Sequence, residues 1–150
     1  MRSIAPAVYN GRRDITLEAP LVHIKPVNPW TWQDAFGYSQ AVEVSGGGRT
    51  LFCAGQTSVD ANGNPLHARD MAKQLSQALE NLEAVLRQAG MTFANVVRLN
   101  YYVTDVPAFL QASAQAAAHL GGVKPPGTLL GVAALFHPDI VIEIEATAVA

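Results

Sequence analysis

The stretch 71–103, MAKQLSQALENLEAVLRQAGMTFANVVRLNYYV, changes its hydrophobic period part-way. From about Ala68 to Ala89, the residues Met71, Leu75, Ala78, Leu79, Leu82, Val85, Leu86 and Ala89 recur at three- and four-residue spacing. Gln74, Gln77, Glu80, Asn81 and Glu83 fall largely elsewhere. One apolar stripe on a 3.6-residue repeat predicts an amphipathic helix. Gly90 suits the position just past its end, where a left-handed backbone costs glycine little. Beyond it Val97, Leu99, Tyr101 and Val103 alternate, so the chain passes from helix to strand.

Working outward, Thr104 or Asp105 can cap a second, alanine-rich helix at roughly 106–120. VKPPGTLLGVAAL (123–135) reads as a strand entered through prolines, placed at 128–134, and HPD (137–139) as a turn. The last strand, 140–149, puts Ile142, Ile144 and Ala146 on one face and Val141, Glu143, Glu145 and Thr147 on the other. On the N-terminal side, Val42 and Val44 alternate with Ala41 and Glu43, and Gly46 to Gly48 make a turn. TLFCAGQTSV follows, so 41–44 and 51–57 are expected to pair as a hairpin. DANGNP (60–65) is turn chemistry, and the short β-type runs of ITLEAPLVHIKPV, broken by Pro20 and Pro26, suit only an edge. Residues 1–20 read as an N-terminal extension, with 1–14 an extended arm carrying Arg12 and Arg13, and 21–150 as one domain.

The expected order, β-β-α-β-α-β-β, is an α+β arrangement with two helices packed on one face of a sheet. The other face must meet water or a second subunit. Hydrophobic residues make up 49% of the 150-residue chain and charged residues 15%, a balance that favours burial of surface between subunits. A net charge of −2 with no basic block lacks the footprint of a nucleic-acid binder, so no nucleic-acid partner is expected. No run of 18 apolar residues and no apolar leader stretch occurs, so no membrane partner is expected and the cytoplasm is the default location. Cys53 is the lone cysteine, so thiolate zinc clusters are ruled out and a small buried hydrophobe is the simpler reading. His23, His67, His119 and His137 are scattered, and no metal site or other cofactor is expected.

Two constellations carry possible chemistry. Glu143 and Glu145, at i and i+2 of one strand, share a face about 6.5–7 Å apart, where carboxylates divide acid and base work or simply meet solvent. NPWTWQDAFGYSQA (28–41) gathers Trp30, Trp32, Phe36 and Tyr38, enough for an apolar pocket wall with a hydroxyl handle, or for a pin that fastens the arm. Gly46 to Gly48 precede no helix and no GK[ST], so they form no phosphate cradle. Ser39, Ser45, Ser58 and Ser113 lack the GxSxG setting of a nucleophile.

Six segments in order, GYSQA (37–41), CAGQ (53–56), NLEAVLRQAG (81–90), NVVRLNYYVTD (95–105), PPGTLLGVAAL (125–135) and IEIEATAV (142–149), resemble the reactive intermediate deaminase family, RidA/YjgF, formerly called the endoribonuclease L-PSP family. The resemblance implies a chorismate-mutase-like sheet and a homotrimer whose sheets form an inner barrel, with ligand clefts between subunits. Active members hydrolyse enamines and imines. It implies a catalytic tyrosine at Tyr38 and a water-positioning glutamate at Glu143. Gly55, Thr128 and the Leu129 carbonyl fall on ligand-facing positions, and Trp32 adds an apolar wall. The arginine that holds a substrate carboxylate falls on Gly127, which has no side-chain donor. Lys124 is three residues upstream, but Pro125 and Pro126 fix the path between them and lysine lacks the guanidinium fork. Three functions compete: a hydrolase or deaminase for a small molecule not anchored by arginine, a non-catalytic trimer that binds a metabolite or regulates a partner, and an endoribonuclease.

Overall fold

The computed structural model describes residues 21–29 and 31–150. The expected arm, Pro20 and Trp30 lie outside the described residues. Nine elements matter to the site: strands β1 (His23–Val27), β2 (Ala41–Ser45), β3 (Thr50–Phe52) and β4 (Gln56–Thr57), helix α1 (Met71–Gln88), strand β5 (Val96–Val103), helix α2 (Val106–His119), and strands β6 (Leu129–Gly131) and β7 (Ile142–Val149).

α1 follows its stripe: Met71, Leu75, Ala78, Leu79, Leu82 and Leu86 are buried. Asp70 caps it by accepting from the Lys73 N–H at 3.1 Å. At the other end Gly90 is left-handed, with φ +72°. The Met91 N–H donates to the Leu86 carbonyl and the Gly90 N–H to the Arg87 carbonyl, the pair of bonds that closes a Schellman motif. Gln74 departs from expectation. It is fully buried, because its amide donates to the carbonyls of His67 (3.0 Å) and Asp139 (2.6 Å) and accepts from the Val141 N–H (2.8 Å). It thus satisfies loop groups that the helix covers, at the flank of the stripe.

β7 is central: β5 pairs antiparallel on one side, with Leu99 opposite Ala146 and Tyr101 opposite Ile144. β3 and β4 pair on the other side. β6 runs parallel to β5, as a strand reached through a helical crossover can. Ile142, Ile144, Ala146 and Ala148 are buried beneath the helices with Leu99 and Val103, so the two-helix, one-face α+β reading holds. Glu143, Glu145 and Thr147 line the opposite, open face, half-buried.

The expected hairpin does not form. β2 pairs with β1 in a separate two-stranded sheet, whereas β3 pairs with β7. Gly46 and Gly47, at φ +71° and +93°, carry the chain closely over Leu21 and Val22, where a Cβ on either would collide. The N–H groups of Gly48 and Arg49 then bond the Ala150 carbonyl, which delivers the next strand to β7. The expected strand at 51–57 is also interrupted. Its register with β7 slips by one residue across 53–55, a bulge between Phe52 opposite Thr147 and Gln56 opposite Ile144. The strand expected at 128–134 is shorter, three residues, flanked by bonds from the Tyr101 N–H to the Thr128 carbonyl and from the Val132 N–H to the Val103 carbonyl. Among the described residues, no helix is long and apolar enough to cross a membrane.

Candidate functional site

On the helix side, a cavity of about 880 Å³ opens between β5, α2 and the segment leading into β6. Leu99 and Tyr101 of β5 form its floor, and Phe109, Ser113 and Ala117 of α2 form one wall. Tyr101 packs on Phe109 with ring centroids 5.0 Å apart, and burial pushes its phenol pKa up. The far side is a 3-10 turn, Trp32–Phe36, followed by Gly37 and Tyr38. Gly37 takes a left-handed φ of +70°, and the Ser39 N–H bonds the Lys124 carbonyl at 3.0 Å, tying this turn to the proline segment. The Trp32 and Tyr38 rings meet edge-on, with centroids 6.1 Å apart.

Pro125, Gly127, Thr128 and Leu129 close the cavity from the β6 side. The Leu99 N–H donates to the Pro126 carbonyl at 3.0 Å and the Tyr101 N–H to the Thr128 carbonyl at 2.8 Å. Between those bonds, a Cβ on Gly127 would run into the Leu99 carbonyl oxygen. Glycine is therefore required by the backbone path itself. Lys124 turns toward Asp34, its ammonium 3.9 Å from that carboxylate.

The open face carries a separate group. The bulge at 53–55 brings Gly55 against the Glu143 side chain, which fills the space a Cβ would take. Beside it, Glu145 accepts from Tyr102 Oη at 2.7 Å and from Asn100 Nδ2 at 2.9 Å. Asn100 Oδ1 in turn accepts the Thr128 N–H at 3.0 Å, so this network reaches the backbone that walls the cavity. The hydrogen bond from Asn100, then that from Tyr102, hold the Glu145 carboxyl below its ordinary pKa, and bonding to Glu145 raises that of the Tyr102 phenol.

The single chain therefore brings Tyr38, Trp32, Gly127, Thr128 and Leu129 together, and Gly55 with Glu143, on opposite faces of one sheet. Glu143 does not line the cavity. Cys53 is buried, and desolvation pushes its thiol pKa up, as suits a small hydrophobe. Among the described residues, no three His, Cys, Asp or Glu side chains cluster as a metal site requires.

The family model described as Endoribonuclease L-PSP, the RidA/YjgF family, matches residues 32–150. This chain belongs to that family. The RidA/YjgF match begins at the 3-10 turn that walls the cavity and runs to the last residue, so it spans both faces of the sheet. Relatives include a RutC family protein of Pyrococcus horikoshii, 33% identical over 83% of this chain and 89% of its own length. The 2-iminobutanoate/2-iminopropanoate deaminase of Rattus norvegicus is 36% identical over 75% of this chain and 79% of its own. Among solved structures, the Rid family protein YyfB of Yersinia pestis superposes with a TM-score of 0.78 at 44% identity, covering 85% of this chain and 98% of that one.

Two polar groups of this RidA/YjgF chain escaped sequence reasoning, Asn100 and Tyr102. Their signal was available: alternation on β5 sets Leu99, Tyr101 and Val103 inward, and so turns Asn100 and Tyr102 toward the face of Glu143 and Glu145. What periodicity lacks is the pairing register of β5 with β7, which puts Asn100 opposite Glu145 and Tyr102 opposite Glu143.

Proposed function

We propose that the protein is a hydrolase for an imine- or enamine-type small metabolite, working in clefts completed between subunits of a homotrimer. The observation that carries this reading is the division of the site. Tyr38 sits at a cavity on the helix side and Glu143 on the open face, a division that favours a site to which a second copy brings the other half. Kinship with a relative named as an imine deaminase supports the reaction class.

In the proposed step, water adds to the carbon of the C=N bond. Glu143 accepts a proton from that water and returns it to nitrogen, while the Tyr38 hydroxyl polarises the substrate. The C–O bond forms as the C=N π bond breaks, giving a carbinolamine. Glu143 then passes the proton of the new hydroxyl to the same nitrogen, the C–N bond breaks as C=O forms, and the products are a carbonyl compound and ammonia. No fork of charge-assisted bonds anchors a carboxylate at Gly127, so the substrate is placed by shape and by backbone groups of 127–129.

The test follows imines generated in situ, 2-aminoacrylate among them, and reads carbonyl product and ammonia. Acceleration by the wild type, lost in both Glu143→Gln and Tyr38→Phe, supports hydrolysis. Saturable binding with no product, unchanged in Glu143→Gln, overturns it in favour of a non-catalytic binding or regulatory trimer. RNA degradation that copurifies with the protein and disappears in either variant overturns it in favour of an endoribonuclease. Sedimentation of wild type as a monomer at assay concentration removes the shared cleft.

A further inference from the structure

Resting on the reading that this cavity is the binding half of the proposed hydrolytic site, we infer that its ligand is a ring-bearing molecule without a carboxylate. Three independent features point to that class. The first is charge. Among the described residues that line the cavity there is no arginine, lysine or histidine, and the one Asp or Glu side chain there is Asp34. Lys124, at the border, already faces Asp34 at 3.9 Å, so a ligand carboxylate has to compete with that partner and meets its repulsion.

The second is the backbone at Gly127. Because a Cβ there strikes the Leu99 carbonyl, this strand path excludes every side-chain anchor at the position, arginine included. The third is shape and surface. At about 880 Å³ the cavity lies within the roughly 300–1,000 Å³ range of pockets that enclose drug-sized ligands. Trp32, Tyr38, Tyr101 and Phe109 present rings around it, and Ala114 and Ala117 keep the α2 wall low. Flat ligands stack or meet edge-on with such rings, a gain that a three- or four-carbon acid cannot collect.

The experiment titrates the full-length protein with two probes of one size, phenylacetamide and phenylacetate, by calorimetry at low salt. Phenylacetamide is expected to bind at least tenfold more tightly. Ala117→Trp, which fills the cavity from α2, is expected to weaken that binding at least tenfold; Ala114→Phe serves the same end should the first variant not fold. Equal or tighter binding of phenylacetate, no binding of phenylacetamide, or binding indifferent to both filling variants overturns the inference. Its failure is separable from that of the hydrolytic reading. Phenylacetamide binding without turnover of any imine sinks the hydrolase and spares the ligand class. Glu143-dependent turnover with a preference for phenylacetate does the reverse.

Discussion

Gly127→Ala tests the central structural claim with the smallest possible change. The added methyl meets the Leu99 carbonyl oxygen, a backbone atom that cannot rotate aside. Relief requires residues 126–128 to lift from β5. That strains the bonds from Leu99 to Pro126 (3.0 Å), Tyr101 to Thr128 (2.8 Å) and Thr128 to Asn100 (3.0 Å). Overpacking costs about 1–3 kcal/mol, and losing one of the three bonds adds about 0.5–1.5 kcal/mol. Reduced freedom of the unfolded chain offsets about 0.4–1 kcal/mol. The expected net loss is about 2–3 kcal/mol. Equilibrium urea unfolding, at one fixed protein concentration, reads this as a lowered midpoint. Gly48→Ala is the control, since nothing lies within 4 Å of a Cβ there, and it is expected to stay within about 0.5 kcal/mol of wild type. Wild-type stability in Gly127→Ala would refute the claim that the strand path demands glycine.

Other outcomes follow from the same geometry. Gln74→Leu removes the partner of the part-buried loop carbonyls at Leu66, His67 and Asp139 and of the buried Val141 N–H, and should cost about 1–3 kcal/mol by urea unfolding. Asp105→Ala removes the cap that accepts the Ala108 N–H at 2.9 Å and should destabilise by about 1 kcal/mol, also read by urea unfolding. Glu145, held below its ordinary 4.5, contributes stability that is present above that pH and is lost as acid carries it through its lower folded value. Asn100→Ala should move its carboxyl resonance midpoint back up toward 4.5 in an NMR titration, and an unmoved midpoint would show that Asn100 is not the cause. Tyr102 has the opposite sign: its raised pKa adds stability below its ordinary 10 that disappears as alkali carries it through the folded value, and Tyr102→Phe should abolish that alkaline loss in unfolding curves.

How much of this was legible before the fold was known varies by element. The stripe of α1, its stop at Gly90, the cap of α2 and the inward face of β7 are all local. Each is written in residues a few positions apart, and each recurs in the structure where the periodicity put it. The six ordered segments likewise identified the family, which the match over 32–150 establishes. Tyr38, Gly55 and Gly127 to Leu129 were named as candidates one by one from the six segments, whereas their grouping on the two faces of the sheet was not.

The chain by itself determined which residues turn inward, because side-chain direction follows from backbone period alone. Only the tertiary structure decided the partners. β2 leaves the expected hairpin because Leu21 and Val22 pass against Gly46 and Gly47, a contact between residues more than twenty positions apart. Gln74 is buried because loops at 66–67 and 139–141 bring their polar groups to it. Gly127 is required because the Leu99 carbonyl lies where a Cβ would stand, and Glu143 is parted from Tyr38 because the sheet runs between them. These are distances between remote segments, and no local pattern carries them.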